Sequence, residues 1–149
     1  MISHDRRTIT FAIRRYSPEK DDKPYWERFD TPVEPGMTVL EGLHWIKEHK
    51  GPSLAMRFSC RMGVCGSCGM LLNGVPRLAC NTQILHITES VLTAAPLPNF
   101  KIIKDLVPDL MPLFEKHTHV MPHIIRDDDA EQLEPTGEYF QSPEELVDY

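Results

Sequence analysis

Apolar side chains occupy every second position in the segment 8–16, at Ile9, Phe11 and Ile13. This period of two predicts a half-buried β-strand, because successive side chains of a strand point to opposite faces. A polar turn with two prolines follows at residues 17–24. A second strand from residue 25 to about residue 29 would complete a β-hairpin.

The apolar spacing changes to that of a helix after Pro35. Thr38 and Glu41 have the spacing of a capping box, in which each residue satisfies an amide of the first turn. The helix they open would bury one apolar stripe, formed by Val39, Leu40, Leu43 and Ile46. Gly51 followed by Pro52 predicts the end of the helix, with Gly51 in the left-handed conformation.

A second hairpin is predicted at residues 68–80, with its turn at Asn73-Gly74. A two-residue turn there places Leu72 opposite Val75. Counting outward, Cys68 lies opposite Ala79, so Cys80 is one step from Cys68 across the sheet. The turn therefore returns the last cysteine of the chain to the others.

The rest of the chain carries weaker patterns. Residues 84–92 predict a last strand. Residues 102–115 predict a short helix broken at Pro108 and Pro112. Residues 126–149 are acidic and weakly apolar, as expected of an arm. We therefore predict two regions: a domain at residues 1–98 and a helical or irregular linker at residues 99–149.

Composition narrows the class of protein. A net charge of −6 over 149 residues argues against a nucleic-acid binder, which needs clustered Lys and Arg. No apolar stretch approaches the roughly 18 residues of a membrane-spanning helix, and the polar start has no apolar signal core. The sequence thus predicts a cytoplasmic protein without direct membrane insertion.

All four cysteines fall within residues 60–80, at Cys60, Cys65, Cys68 and Cys80. Their spacing, C-x4-C-x2-C followed by a later cysteine, is that of plant-type ferredoxins, in which four thiolates hold a [2Fe–2S] cluster. Glycines between the cysteines would let the backbone wrap closely around such a cluster. We therefore predict these four residues as the cofactor-binding and metal-binding residues, and no catalytic residue.

A structural zinc site is the alternative from another class of protein. Zinc usually takes two separated C-x2-C pairs, whereas this sequence has one such pair and three cysteines in one loop. A zinc-stabilised docking module would use the same ligands without redox activity. The spacing favours the iron–sulfur cluster.

At these residues the sequence resembles the iron–sulfur subunit of succinate dehydrogenase and fumarate reductase. The resemblance is carried by RFSCRMGVCGSCGMLLNGVPRLACNT at residues 57–82, by MTVL at residues 37–40 and by IKDLVPD at residues 103–109. It extends from about residue 8 to the end of the chain. It implies an α+β fold of the β-grasp, [2Fe–2S] ferredoxin-like type, with Cys60 and Cys65 on one iron and Cys68 and Cys80 on the other.

The resemblance also implies partners and a role. In the family, single electrons pass between an FAD-containing flavoprotein subunit and further iron–sulfur clusters, and then a quinone, beside membrane anchor subunits. The expected place is the cytoplasmic face of a membrane, reached through those partners. The loop residues Arg61, Met62 and Val64 would face the flavoprotein, and the chain alone would not oxidise succinate.

Other iron–sulfur proteins are open alternatives. Family members continue into a second domain with two more cysteine-rich motifs, which have no counterpart in these 149 residues. The small iron–sulfur subunit of molybdenum hydroxylases has a similar cysteine spacing, but that family adds four further cysteines. A free-standing ferredoxin would place its fourth cysteine much further along the chain.

Overall fold

The computed structural model describes residues 7–122 and 143–144, and every structural statement below concerns these residues. The fold starts with an antiparallel hairpin of β1 (Arg7–Arg15) and β2 (Tyr25–Val33), in which Phe11 lies opposite Phe29. The predicted hairpin is confirmed. Its second strand continues four residues beyond the predicted end at residue 29.

Helix α1 (Val39–His49) begins at the predicted capping box. The Thr38 amide donates to Glu41 Oε2 at 2.7 Å, and the Glu41 amide donates to Thr38 Oγ1 at 3.3 Å. The predicted apolar stripe is buried. Gly42 lets the helix approach β1, since a Cβ at this position would lie 2.6 Å from Phe11 Cζ.

The predicted left-handed conformation of Gly51 is wrong, because Gly51 is not among the described glycines with positive φ. The helix instead ends at Lys50, with φ −129°. A Cβ at Gly51 would come within 3.3 Å of the Phe29 ring. The glycine is therefore explained by close packing rather than by left-handed backbone.

The second hairpin pairs β3 (Gly69–Leu72) with β4 (Val75–Leu78) in the predicted register, with Leu72 opposite Val75. Asn73 and Gly74 both have positive φ, at 47° and 77°, as a two-residue hairpin turn of this type requires. After β4 a short 3-10 turn, Ala79–Asn81, carries Cys80.

A single strand, β5 (Val91–Ala95), joins the two hairpins into one sheet of order β2-β1-β5-β3-β4. It runs parallel to β1 and antiparallel to β3. The predicted strand at residues 84–92 is wrong over most of its length, since Ile84–His86 form a 3-10 turn. Ile84 is buried there and its amide donates to the Met37 carbonyl, so this segment packs against the start of α1.

The predicted helix at residues 102–115 is also wrong in its first half. Two short strands pair there instead, β6 (Ile102–Lys104) and β7 (Val107–Pro108). Helix α2 (Met111–His119) starts only beyond Pro108 and accepts Pro112 in its first turn, where a missing amide costs little.

The chain divides into two compact units, Met1–Pro112 and Leu113–Tyr149. The first unit holds the sheet, α1 and one apolar core, whose largest fully buried members include Phe11, Ile13, Leu43 and Met70. In the second unit the described part of α2 is solvent-exposed. The mixed sheet with α1 packed on it confirms the predicted α+β, β-grasp fold. The predicted boundary between residues 98 and 99 stays a prediction, and the predicted arm at residues 126–149 lies outside the described residues except for residues 143–144.

Candidate functional site

The first three cysteines lie in an irregular loop between α1 and β3. Three of its residues have positive φ: Arg61 at 59°, Gly63 at 77° and Gly66 at 74°. Alternation between ordinary and left-handed backbone turns successive amides toward one side and creates a concave set of N–H donors. This geometry suits a centre that carries negative charge.

Each of the four cysteine sulfurs accepts a hydrogen bond from a backbone amide. Cys60 and Cys65 form a reciprocal pair, with 3.3 Å from Cys65 N to Cys60 Sγ and 3.5 Å from Cys60 N to Cys65 Sγ. Cys80 N donates to Cys68 Sγ at 3.5 Å, and Gly63 N donates to Cys80 Sγ at 3.3 Å. The last contact joins the loop to Cys80, just beyond β4, so a backbone hydrogen bond connects the two cysteine pairs.

The two pairs differ in their surroundings. Cys60 is half-buried and Cys65 is exposed, whereas Cys68 and Cys80 are buried. Burial raises the pKa of the Cys68 thiol. The pKa of Cys65 is lowered to about 6, first by the Ser67 hydroxyl 3.4 Å away and then by backbone amides. The site thus has one solvent-facing pair of sulfurs and one enclosed pair.

This donor set fits an iron–sulfur cluster. All four thiols are free, and thiolate sulfurs supplied with amide hydrogen bonds are the ligands that such clusters take in proteins. Two close cysteine pairs match the two thiolates per iron that a two-iron cluster requires. A bound [2Fe–2S] cluster would supply one-electron transfer at this site.

A buried ion pair anchors the segment that leads into the loop. Arg15 Nε donates to Asp105 Oδ1 at 2.9 Å, and both side chains are almost fully buried. The second oxygen of Asp105 accepts the Ala55 amide at 2.8 Å, five residues before Cys60. Burial works to lower the pKa of Arg15, but the hydrogen bond and the charge of Asp105 raise it above its ordinary value. The guanidinium therefore stays charged.

The outer lip of the loop is apolar and carries one positive charge. Met62 and Val64 are 74% and 78% exposed. The Arg61 guanidinium lies 5.0 Å from the centre of the Phe58 ring, and the His44 ring meets the same ring edge-on at 4.4 Å. Burial, and then the charge of Arg61, lower the pKa of His44. The three residues predicted to face a partner are exposed together on this lip.

Sequence reasoning missed two contributors to the site. Ser67 lies between two predicted ligands, and its position in Cys-Gly-Ser-Cys was the available indication. Asp105 was assigned to a helix, although its φ of 47° and its three accepted hydrogen bonds belong to a tight turn. The indication missed there was the Lys104-Asp105 pair between the apolar residues Ile102-Ile103 and Leu106-Val107, which is typical of a turn between two short strands.

The β-grasp sheet and the four cysteines of the loop and the second hairpin define a [2Fe–2S] ferredoxin-type protein. Residues 10–115 match the model of the family described as the 2Fe-2S iron-sulfur cluster binding domain. The chain belongs to this family, and its cofactor is a [2Fe–2S] cluster.

Curated relatives agree with the resemblance seen in the sequence. The chain is 38% identical over 138 residues to the fumarate reductase iron-sulfur subunit of Mycobacterium tuberculosis. It is 40% identical over 139 residues to the succinate dehydrogenase iron-sulfur subunit of Coxiella burnetii. These alignments cover 93% and 92% of this chain but 55% and 57% of the relatives. The chain thus spans little more than half the length of these relatives.

A solved structure supports the fold. A chain of the Mycobacterium smegmatis Sdh1 complex in the apo form superposes with a TM-score of 0.74 at 29% identity, covering 95% of this chain and 56% of that chain. Among the helices that the structure describes, none has the length and apolar character to cross a membrane.

Proposed function

We propose that Cys60 and Cys65 bind one iron of the [2Fe–2S] cluster and that Cys68 and Cys80 bind the other. The observation that carries this proposal is the amide hydrogen bond received by every one of the four sulfurs. Such bonds stabilise the negative charge of thiolate ligands. The pairing is also the one that the family resemblance implies.

With the cluster bound by these four cysteines, the chain acts as an electron relay of a succinate dehydrogenase or fumarate reductase. It would connect an FAD-containing flavoprotein with downstream iron–sulfur clusters and a quinone. The names of the relatives support this role. We extend the proposal to a peripheral position at the cytoplasmic face of a membrane, held by partner subunits.

The exposed lip of the loop is the proposed docking face for the flavoprotein. Met62 and Val64 would exclude water from the contact, as apolar residues do at the centre of an interface. Arg61 would pair with an acidic group of the partner, and its stacking on Phe58 limits the conformations it must give up on binding. The enclosed pair, Cys68 and Cys80, faces away from solvent.

Relay function predicts that the isolated chain does not oxidise succinate. Succinate releases two electrons, whereas a [2Fe–2S] centre exchanges one, so a flavin must divide the pair. We expect no dye reduction by succinate with the purified chain alone. With an FAD-containing succinate dehydrogenase flavoprotein added, we expect succinate to bleach the visible absorption of the chain.

Two outcomes of this experiment would contradict the relay. One is succinate oxidation by the chain without flavoprotein. The other is an iron-loaded chain that stays fully oxidised in the presence of flavoprotein and succinate, although dithionite reduces it.

Replacement Arg61→Glu tests the docking face. Charge reversal at the lip should slow flavin-to-cluster electron transfer at least about tenfold at low salt, because it replaces an attraction with a repulsion across the interface. Iron content should not change, since the Arg61 side chain does not contact a sulfur among the described hydrogen bonds. Stopped-flow absorbance with the flavoprotein measures the rate.

The matched control is Arg28→Glu, which makes the same charge change at an exposed position of β2. Strand β2 is at the opposite edge of the sheet from β3 and β4. Equal slowing by both variants would show that the rate depends on the net charge of the chain and not on a docking face at Arg61. An unchanged rate in Arg61→Glu would place the docking face elsewhere.

A further inference from the structure

Among the described residues, Ser67 is the one side chain that hydrogen-bonds a cysteine sulfur; the other partners of the sulfurs are backbone amides. In the structure the Cys65 thiol donates this bond to the Ser67 hydroxyl. The Ser67 Oγ lies 3.4 Å from Cys65 Sγ. A sulfur bound to iron is a thiolate and can only accept a hydrogen bond. In the loaded protein the hydroxyl hydrogen must therefore point from Ser67 to Cys65.

We infer that Ser67 is a positioning residue that tunes the reduction potential of the cluster through this hydroxyl. The inference rests on the proposed ligand set. Reduction adds one negative charge, part of which is carried by the ligand sulfurs. A donor fixed beside Cys65 stabilises the charged, reduced form more than the oxidised form and so raises the potential.

The surroundings of Cys65 determine how strongly the Ser67 hydroxyl affects the charge on the Cys65 sulfur. Cys65 is the exposed member of its pair, so part of its field is screened by water. The Ser67 hydroxyl lies 3.4 Å from Cys65 Sγ, which is close enough to stabilise negative charge added to the bound sulfur.

A serine hydroxyl can be removed at this position without disturbing the backbone donors. Alanine keeps the amides of Ser67 and of the other loop residues, and Ser67 is only partly buried, so little packing is lost. Threonine restores the hydroxyl. The two variants therefore separate the hydrogen bond from the space that the side chain fills.

The test is a redox titration of the iron-loaded full chain, followed by visible absorption and electron paramagnetic resonance. We expect Ser67→Ala to weaken the equilibrium preference for the reduced form about threefold to tenfold. For one electron this shift corresponds to about 28 to 59 mV toward more negative potential. Ser67→Thr should restore most of the shift, and iron content should stay equal in all variants.

Ser59→Ala is the matched control, since it removes an exposed serine of the same loop that makes no recorded hydrogen bond to a sulfur. An unchanged potential in Ser67→Ala would overturn the inference, as would an equal shift in Ser59→Ala or in Ser67→Thr. Iron loss in Ser67→Ala alone would also overturn it by making Ser67 a structural residue. Absence of a two-iron cluster in the unsubstituted chain would instead overturn the ligand set itself, and the tuning role with it.

Discussion

Replacement Cys65→Ala is expected to abolish the [2Fe–2S] cluster. Native protein should contain about two irons per chain, absorb in the visible range and bleach with dithionite. Three thiolates cannot complete the coordination of two irons, so the variant should retain less than about a tenth of the native iron and colour. Iron analysis and the visible spectrum of protein purified without oxygen measure both quantities.

The exposed position of Cys65 makes this variant informative. Alanine there leaves no cavity in the core, so loss of iron cannot be attributed to a collapsed fold. Met62→Ala is the matched control, because Met62 is an exposed residue of the same loop that should leave the iron content unchanged. Full colour in Cys65→Ala would refute the ligand assignment, as would one zinc per native chain.

The same variant should open the loop without unfolding the sheet. Few apolar side chains fix residues 57–68, and Phe58 and Val64 are themselves exposed. Metal-binding energy is then folding energy for this segment. Hydrogen exchange should show loop amides open in the iron-free variant, while β1 and α1 stay protected. Equal protection of the loop with and without iron would contradict this expectation.

Replacement Asp105→Asn is expected to lower the free energy of unfolding by about 3–5 kcal/mol, the usual cost of breaking a buried ion pair. The change leaves the buried Arg15 without its buried counter-charge and presents an amide NH₂ to a group of N–H donors. Asparagine tolerates the φ of 47° at this position, so the effect reports on charge and hydrogen bonding rather than on strain. Urea unfolding under anaerobic conditions measures it.

Glu27→Ala is the matched control, since Arg15 also pairs with Glu27, at 2.6 Å. The Glu27 side chain is 41% exposed, whereas that of Asp105 is 2% exposed. Water screens the first pair and can replace it, so its loss should cost less than about 1 kcal/mol. If Glu27→Ala lowers the free energy of unfolding as much as Asp105→Asn does, the burial of Asp105 does not explain the strength of its ion pair with Arg15.

The local elements of this protein followed from short-range chemistry in its sequence. The capping box of Thr38 and Glu41 fixed the start of α1, because its two hydrogen bonds close within one turn. Asn73-Gly74 fixed the turn and register of the second hairpin for the same reason. The cysteine spacing indicated the cofactor, since ligand chemistry depends on residue type and on short loops.

The elements that the sequence misassigned are those whose partners lie far along the chain. Residues 84–90 have the apolar content of a strand. The Ile84 amide instead donates to the Met37 carbonyl just before α1, so Ile84 does not pair in the sheet. Residues 102–108 are predicted as a helix, yet Asp105 closes a turn that binds Arg15, which lies 90 residues earlier. A buried carboxylate bonded to a guanidinium and two distant amides outweighs the small preferences of single residues.

The sequence by itself determined the kind of cofactor, because four cysteines at this spacing fit few other sites, and it predicted which residues hold the cluster. The tertiary structure alone decided how the four cysteines differ in burial and in hydrogen bonding. Packing of the second hairpin encloses Cys68 and Cys80, while the loop leaves Cys65 in water beside Ser67. Burial and hydrogen bonding of a sulfur depend on the atoms that surround it in space, and spacing along the chain does not specify them.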